Sequence, residues 1–130
     1  MGARILVVYA SRCGSTEEIA REIGRVIAAS GVEADVKRVG EVADLGGYAG
    51  VVVGSAVRMG RWLPGALRFV RGRQASLARL RAACFTVGAS LRDGTEESRR
   101  RLERAAEPAR AALDPVDEAF FAGKVDRSRL

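Results

Sequence analysis

The sequence predicts a three-layer α/β domain built on a five-stranded parallel sheet. Three observations support this fold class. Short apolar runs of strand length recur along the chain, helix-length segments separate most of them, and the first run leads through a small, hydroxylated loop into an amphipathic helix. Parallel strands need such crossover connections, and the helices then cover both faces of the sheet.

The first strand and the loop after it carry the clearest signal. Residues 4–9 are an almost continuous apolar run, which is typical of a strand buried on both faces. Residues 11–16 (Ser-Arg-Cys-Gly-Ser-Thr) are mostly small and hydroxylated, and they precede the helix. The apolar face of that helix consists of Ile19, Ile23, Val26 and Ile27.

This loop is predicted to bind an anion. Free N–H groups and the positive end of the helix dipole converge where a strand end meets a helix N-terminus, so a phosphate is the expected ligand. A plain helix start is the alternative, because Ser15 and Glu18 have the spacing of a capping box. The chain has neither a Walker-type motif nor Gly-x-Gly-x-x-Gly after a strand, which favours a monophosphate over a triphosphate or a dinucleotide.

The next elements continue the alternation. Residues 32–39 alternate apolar and charged side chains, as expected of an edge strand, and residues 50–54 form a second buried strand. A basic helix follows Pro64, and residues 83–88 form the fourth strand.

The last elements complete the predicted topology. A helix spans about residues 95–113, which Pro108 should kink or split, and residues 116–122 form the fifth strand. An edge strand that is second in sequence gives the strand order 2-1-3-4-5, with the ligand between strands one and three. The loops at residues 55–62 and 88–94 should therefore meet the phosphate loop.

Composition narrows the chemistry. With 130 residues, 48% of them hydrophobic, the chain is predicted to form one domain over residues 1–130. It contains no histidine, which excludes Ser-His-Asp and Cys-His systems, and we nominate no catalytic residue and no metal ligand. Cys13 and Cys84 are too few for a disulfide framework and indicate a reducing, cytoplasmic setting. No run suggests a membrane span or a signal peptide.

The net charge of +6 raises the question of an anionic partner. Scattered arginines, an aromatic content of 5% and the lack of a recognition-helix pattern argue against nucleic acid. An anionic small molecule or a lipid surface is compatible with this charge.

Three segments resemble the flavodoxin family. Residues 9–16 resemble its phosphate loop, residues 54–62 its flavin-side loop, and residues 120–124 its fifth strand. The similarity is greatest to the branch that contains the quinone-dependent protoporphyrinogen oxidases of bacteria. The resemblance implies a flavodoxin-like three-layer sandwich that holds FMN without a covalent bond.

The resemblance also implies which residues contact FMN. The phosphate would be held by the hydroxyl and N–H groups of Ser11, Arg12, Cys13, Gly14, Ser15 and Thr16. The isoalloxazine would be framed by Ala56, Val57, Arg58, Met59, Gly60 and Trp62, together with Ala89, Ser90 and Leu91. Gly60 matches the flavodoxin glycine whose peptide turns to accept a hydrogen bond from the reduced flavin N5, a change that glycine tolerates.

The chain departs from the flavodoxin pattern at aromatic positions. Met59 stands where a ring often packs on the flavin, and residues 89–94 contain no aromatic side chain. Trp62 either stacks on the flavin or folds against the following helix, and the sequence leaves both interpretations open. An uncovered flavin face suits an enzyme that admits a substrate.

Basic residues beside the expected flavin indicate the substrate class. Electron-carrier flavodoxins are strongly acidic, so a basic rim instead suits an anionic substrate, such as a porphyrinogen with propionates. A quinone or a redox protein would then accept the electrons. A solvated helix face is the alternative interpretation of the same residues. The predicted rim consists of Arg58, Arg61, Arg68, Arg71 and Arg73.

Several functional classes stay open. The alternatives are an electron-transfer flavodoxin, an NAD(P)H quinone reductase and a noncatalytic flavodoxin-like scaffold. A phosphoacceptor receiver domain is disfavoured, because Ala10-Ser11 and Gly54-Ser55 stand where it needs acidic residues. The porphyrinogen-oxidising branch continues into a last helix, whereas this sequence ends at Leu130. We therefore expect either a fragment or a sheet face covered by a partner or a second copy, and a peripheral membrane contact also stays open.

Overall fold

The sheet is parallel and has the predicted strand order. The computed structural model describes residues 3–11, 14–88 and 95–122. Its elements, in chain order, are β1 Arg4–Ala10, α1 Ser15–Ala29, β2 Glu33–Arg38, a 3₁₀ turn at Val39–Glu41, β3 Gly50–Arg58, β4 Arg61–Trp62, α2 Pro64–Gly72, α3 Gln74–Leu77, β5 Arg81–Gly88, α4 Glu96–Leu113 and β6 Asp117–Ala122. The parallel strands lie in the order β2-β1-β3-β5-β6, which confirms the predicted order 2-1-3-4-5.

Two clusters of buried side chains lie on opposite faces of the sheet. Along β1, Leu6 and Val8 belong to the cluster shared with α2 and α4, whereas Val7 and Tyr9 belong to the cluster under α1. Successive strand residues point to opposite faces, so an uninterrupted apolar run requires cover on both sides. The helices supply that cover, as the sequence predicted.

Two predicted boundaries are wrong. β3 does not end at residue 54 but continues to Arg58, because it pairs with β5 as far as Ala56 and then with β4. Pro108 does not split α4, which runs unbroken from Glu96 to Leu113. Pro108 and Arg104 are both exposed, so water can satisfy the carbonyl that the proline leaves without a donor.

The ring of Phe85 packs over Gly54 of the neighbouring strand. Gly54 of β3 pairs with Phe85 of β5, and the Phe85 ring lies over the glycine. A Cβ at position 54 would come within 1.9 Å of Phe85 Cζ. Phe85 in turn packs edge-to-face against Phe121 of β6, with ring centroids 6.0 Å apart. A glycine at position 54 therefore leaves the space in which the Phe85 ring packs against the sheet.

Gly54→Ala is expected to lower the free energy of unfolding by about 2 kcal/mol, because the new methyl group needs space that the Phe85 ring occupies. Urea unfolding measures the change. Gly72→Ala is the matched control, because a Cβ there would meet no atom within 4 Å. We expect it to change the stability by less than about 1 kcal/mol. Equal losses at the two positions would contradict the close packing.

Candidate functional site

The carboxyl ends of β1, β3 and β5 meet at one edge of the sheet. Ala10 of β1 is level with Ser55, and Ala56 of β3 is level with Val87 of β5. The predicted phosphate loop and the predicted flavin-side loop both begin at this edge, so the fold brings them together. Five of the predicted contacts lie outside the described residues: Arg12, Cys13, Ala89, Ser90 and Leu91.

The phosphate loop ends in a glycine, not in a side-chain cap. Gly14 is the N-cap of α1 and has a φ of 91°, a left-handed conformation that favours glycine. Gly14 has no side chain that could cap the helix, and Ser15 is already the first helical residue. The capping-box interpretation of Ser15 and Glu18 is therefore wrong, because Ser15 sits one residue too far along the chain to be the cap.

The first turn of α1 presents donors that an anion can use. The N–H groups of Ser15, Thr16 and Glu17 have no acceptor within the helix, because the first intrahelical bond runs from Glu18 N to the Gly14 carbonyl, at 3.0 Å. Ser11 Oγ accepts a hydrogen bond from Gly14 N–H at 3.1 Å, so its own hydroxyl proton is available to a ligand. Thr16 is 1% exposed, which gives its hydroxyl less access than those of Ser11 and Ser15.

Ion pairs offset the negative charge that lies next to this loop. Glu17 accepts Arg21 Nη2 at 2.6 Å and Arg38 Nη2 at 3.0 Å. The Arg38 guanidinium also lies 5.7 Å from the centre of the Tyr9 ring. Burial raises the pKa of the Tyr9 hydroxyl, and the neighbouring Glu17 carboxylate raises it further. Because both arginines pair with Glu17, its carboxylate repels an anion at the loop less than an unpaired carboxylate would.

Beyond the sheet edge, β3 turns back on itself through a two-residue hairpin. Val57 pairs with Trp62 and Arg58 with Arg61, which leaves Met59 and Gly60 as the turn. Their φ values are 54° and 77°, positive at both positions as a type I′ turn requires. A left-handed backbone costs a methionine roughly 1 kcal/mol. Met59 is 90% exposed, so burial of its side chain does not offset that cost.

Buried hydrogen bonds hold the base of this hairpin. Trp62 is 1% exposed, and its indole Nε1 donates to Thr86 Oγ1 of β5 at 3.0 Å. Ser55 Oγ accepts Leu63 N–H at 3.0 Å and donates to the Ala56 carbonyl at 2.7 Å. The stacking interpretation of Trp62 is wrong, because protein atoms already cover its ring. Its hydrogen bond reaches β5, whereas the alternative interpretation expected the ring to fold against the following helix.

Two arginines face each other across the hairpin. Arg58 and Arg61 are directly paired, and both are exposed. Like charges in this arrangement repel each other. Neither has an ion-pair partner among the described residues. Residues 45–92 contain eight arginines and no Asp or Glu, so the nearby sequence offers no carboxylate to relieve the repulsion.

The remaining members of the predicted rim lie on or next to α2. Arg68 and Arg71 are exposed on the helix. Arg73 is half-buried, with its guanidinium 4.7 Å from the centre of the Phe69 ring and a 3.0 Å hydrogen bond to the Val42 carbonyl. Arg73 therefore packs against the protein, and four exposed arginines remain of the predicted five.

Cys84 does not supply a nucleophile. It lies in β5, it is buried, and burial raises the pKa of its thiol to about 12. The Glu118 carboxylate adds to this effect, and it is itself paired with Arg110 at 2.8 Å. A thiol that stays protonated at neutral pH is unreactive, in agreement with its predicted role as a small buried residue.

Comparison with known families adds to this geometry. The family model for the flavodoxin domain matches residues 6–130. This chain belongs to the flavodoxin family. Membership indicates that it binds FMN, as the sequence resemblance implied. No curated protein sequence matches the chain.

Solved structures with this flavodoxin fold include oxidoreductases as well as flavodoxins. Oxidised flavodoxin 1 from Bacillus cereus has a TM-score of 0.70 at 20% identity, over 96% of this chain and 88% of that one. Rubredoxin oxygen:oxidoreductase from Desulfovibrio gigas has a TM-score of 0.72 at 15% identity, over 96% of this chain and only 32% of that one. An NADH:FMN oxidoreductase, EmoB, has a TM-score of 0.63 at 14% identity, over 93% of this chain and 76% of that one. At these identities the similarity shows the fold.

The phosphate loop of this flavodoxin-family chain suits the phosphate of FMN on two counts. The helix end lacks a side-chain cap, so its donors are available to a ligand. The position of a Cβ on Gly14 has no atom within 4 Å, which leaves space above the first turn. Which side chains touch the cofactor stays a prediction, for the phosphate loop and for Ala56 to Gly60 alike.

The sequence analysis did not single out the residues whose contacts hold the predicted FMN-binding loops in place. These are Tyr9, Glu17 and Arg38 beside the phosphate loop, and Ser55 and Thr86 beneath the hairpin. A polar residue in a strand buried on both faces needs a hydrogen-bond partner, so Ser55 and Thr86 could have been identified as anchors by that rule. The pairing of Glu17 with Arg38 could not, because it depends on how α1 lies across β2.

Gly60→Ala is expected to shift the midpoint potentials of bound FMN while FMN stays bound. A Cβ at position 60 would meet no atom within 4 Å, so the substitution acts through the backbone, which is held at a φ of 77°. Potentiometric titration of the FMN-loaded protein measures the shift. Gly72→Ala, at the end of α2, controls for loss of a glycine elsewhere. Identical potentials in the Gly60 variant and the parent would reject the role given to this turn.

Proposed function

We propose that this flavodoxin-family chain is an FMN-dependent oxidoreductase that acts on a small anionic substrate. The proposed substrate is a porphyrinogen with propionate groups, such as protoporphyrinogen, and the proposed acceptor is a quinone or a redox protein of the cytoplasm. We also treat residues 1–130 as one functional domain. The observation that carries the proposal is the facing pair Arg58 and Arg61 at the hairpin.

The cofactor contacts of the proposal follow the geometry of the sheet edge. The N–H groups of the first α1 turn and the hydroxyls of Ser11 and Ser15 would bind the phosphate, with Arg12 and Cys13 completing the loop. The hairpin would border the isoalloxazine. Bound FMN supplies the hydride or electron chemistry. The protein residues bind and orient, and we assign no side chain as acid or base.

Arg58 and Arg61 would bind the carboxylates of the substrate. A guanidinium group binds a carboxylate through two parallel N–H bonds, and two exposed guanidinium groups suit a substrate with two propionates. Each has no ion pair among the described residues, so substrate binding displaces no internal partner. A carboxylate between them would also offset their mutual repulsion.

Electron transfer without substrate chemistry is the second candidate. It is supported by the hydroxyls of Ser55 in β3 and Thr86 in β5, which both take part in buried hydrogen bonds. They are therefore poorly placed to move a proton, and an electron carrier needs no such group. Turnover of a porphyrinogen with a quinone separates this candidate from the oxidoreductase.

Purified protein is expected to show flavin absorption bands that persist through gel filtration after FMN is added. Visible spectra before and after the column measure the retained FMN. Retention would support the cofactor site and justify assays with porphyrinogens and quinones. A colourless protein that releases added FMN would overturn the oxidoreductase proposal and favour a noncatalytic scaffold.

The double variant Arg58→Gln/Arg61→Gln is expected to lower kcat/KM for a carboxylated substrate about tenfold or more, because each charged hydrogen bond contributes roughly 1.5 kcal/mol. Turnover of an uncharged reducible substrate should stay within twofold of the parent. Arg79→Gln/Arg81→Gln removes the same charge outside the predicted rim and serves as the control. Equal losses for both substrates would leave the hairpin arginines without a role in recognition.

A further inference from the structure

We propose that the cavity between the 3₁₀ turn and α2 binds a small oxyanion, presented as a carboxylate or a phosphate group. The cavity has a volume of about 240 Å³. It lies apart from the predicted FMN contacts, none of which lines it. Its lining residues are Val39, Gly40, Gly65, Arg68, Phe69 and Arg73.

Arg73 is held in place before any ligand arrives. Its guanidinium lies over the Phe69 ring at 4.7 Å, and one Nη donates to the Val42 carbonyl at 3.0 Å. A guanidinium has five N–H donors, so these two contacts leave most of them for a ligand. A fixed cation loses little conformational freedom on binding, which favours affinity.

The rest of the positive charge of the cavity comes from Arg68 and from the N-terminal end of α2. Arg68 lines it and is exposed, with no ion pair among the described residues. Gly65 lines it as well, in the first turn of a nine-residue helix whose N-cap, Leu63, provides no side-chain hydrogen bond. The positive end of the helix dipole therefore adds to the charges of Arg68 and Arg73.

Carboxylates balance the arginines in the other described cavity but not in this one. A second cavity, beside α4 and β6, has three arginines and three glutamates in its walls, and its Arg110 is paired with Glu118 at 2.8 Å. The α2 cavity has two arginines and no acidic residue. Glu41 of the 3₁₀ turn does not line it, and its carboxylate accepts the Arg38 N–H at 2.8 Å. The unbalanced charge makes an anion the expected occupant.

The size and the remaining walls limit the ligand. A volume of about 240 Å³ is below the usual range for drug-sized ligands, so a phosphate or a short dicarboxylate is accommodated more readily than a nucleotide. Val39 and Phe69 provide apolar surface for a few carbon atoms beside the anionic group. The proposed ligand class is therefore a small metabolite with one or two oxyanion groups.

Amide NMR of the FMN-saturated protein tests the site, because FMN then occupies the phosphate loop. Phosphate and succinate are titrated separately at constant ionic strength, with chloride as the reference anion. The Gly40 and Gly65 amide signals are expected to shift saturably with at least one of the two anions, and the stronger one identifies the preferred oxyanion. The Gly14 signal should stay unchanged. Shifts at Gly14 alone, or no saturation with either anion, would overturn the proposal.

Matched variants separate this site from general charge attraction. Arg68→Gln is expected to weaken binding about tenfold, whereas Arg71→Gln, on the same helix but outside the cavity, should change it less than twofold. Gly40→Asp adds a carboxylate at a position where a Cβ meets no atom within 4 Å, and it should abolish binding without disturbing the fold. Equal weakening in the two arginine variants, or full affinity in Gly40→Asp, would contradict the proposed site.

Discussion

The site depends on one buried contact, between the indole of Trp62 and the hydroxyl of Thr86. Burying an indole removes roughly 200 Å² from water, which corresponds to up to about 5 kcal/mol. The hydrogen bond to Thr86 then satisfies the only polar group of the ring. This contact holds β4 against β5, so the hairpin that carries Arg58 and Arg61 projects from a fixed base. Next to it, Ser55 Oγ accepts the N–H of Leu63, the N-cap of α2, and so fixes the position at which that helix begins.

A second constraint is the uneven distribution of ion pairs. The arginines of α1 and several of those on α4 pair with glutamates on the same helix, at positions three or four residues away. Such exposed pairs contribute little to stability. These pairs neutralise charge on α1 and α4, whereas the arginines of the hairpin and of α2 keep their positive charge. The hairpin at the carboxyl edge of the sheet therefore keeps its positive charge, which favours the anionic partner that we propose to bind there.

Particular segments of the sequence predict the fold, and the errors of that prediction have physical causes. Residues 4–9 indicated a doubly buried strand, and the alternating residues 32–39 indicated an edge strand, because burial on one or two faces leaves a periodic pattern in the sequence. The end of β3 was missed because the pairing of Arg58 with Arg61 depends on a turn that lacks the usual Asn-Gly signal. Pro108 does not split α4 as one of the two expected outcomes had it, because the cost of a proline depends on whether water reaches the freed carbonyl.

The sequence by itself determined the strand order, which follows from periodicity and crossover length, and the family, which follows from the resemblance of three segments to flavodoxins. Tertiary structure alone decided the place of Trp62, the pairing of Glu17 with Arg21 and Arg38, and the cavity that joins Val39 to α2. Each of these depends on which residues from distant segments become neighbours after packing. Sequence spacing does not encode such distances. The residues that position the site and determine its charge therefore become evident only in the folded chain.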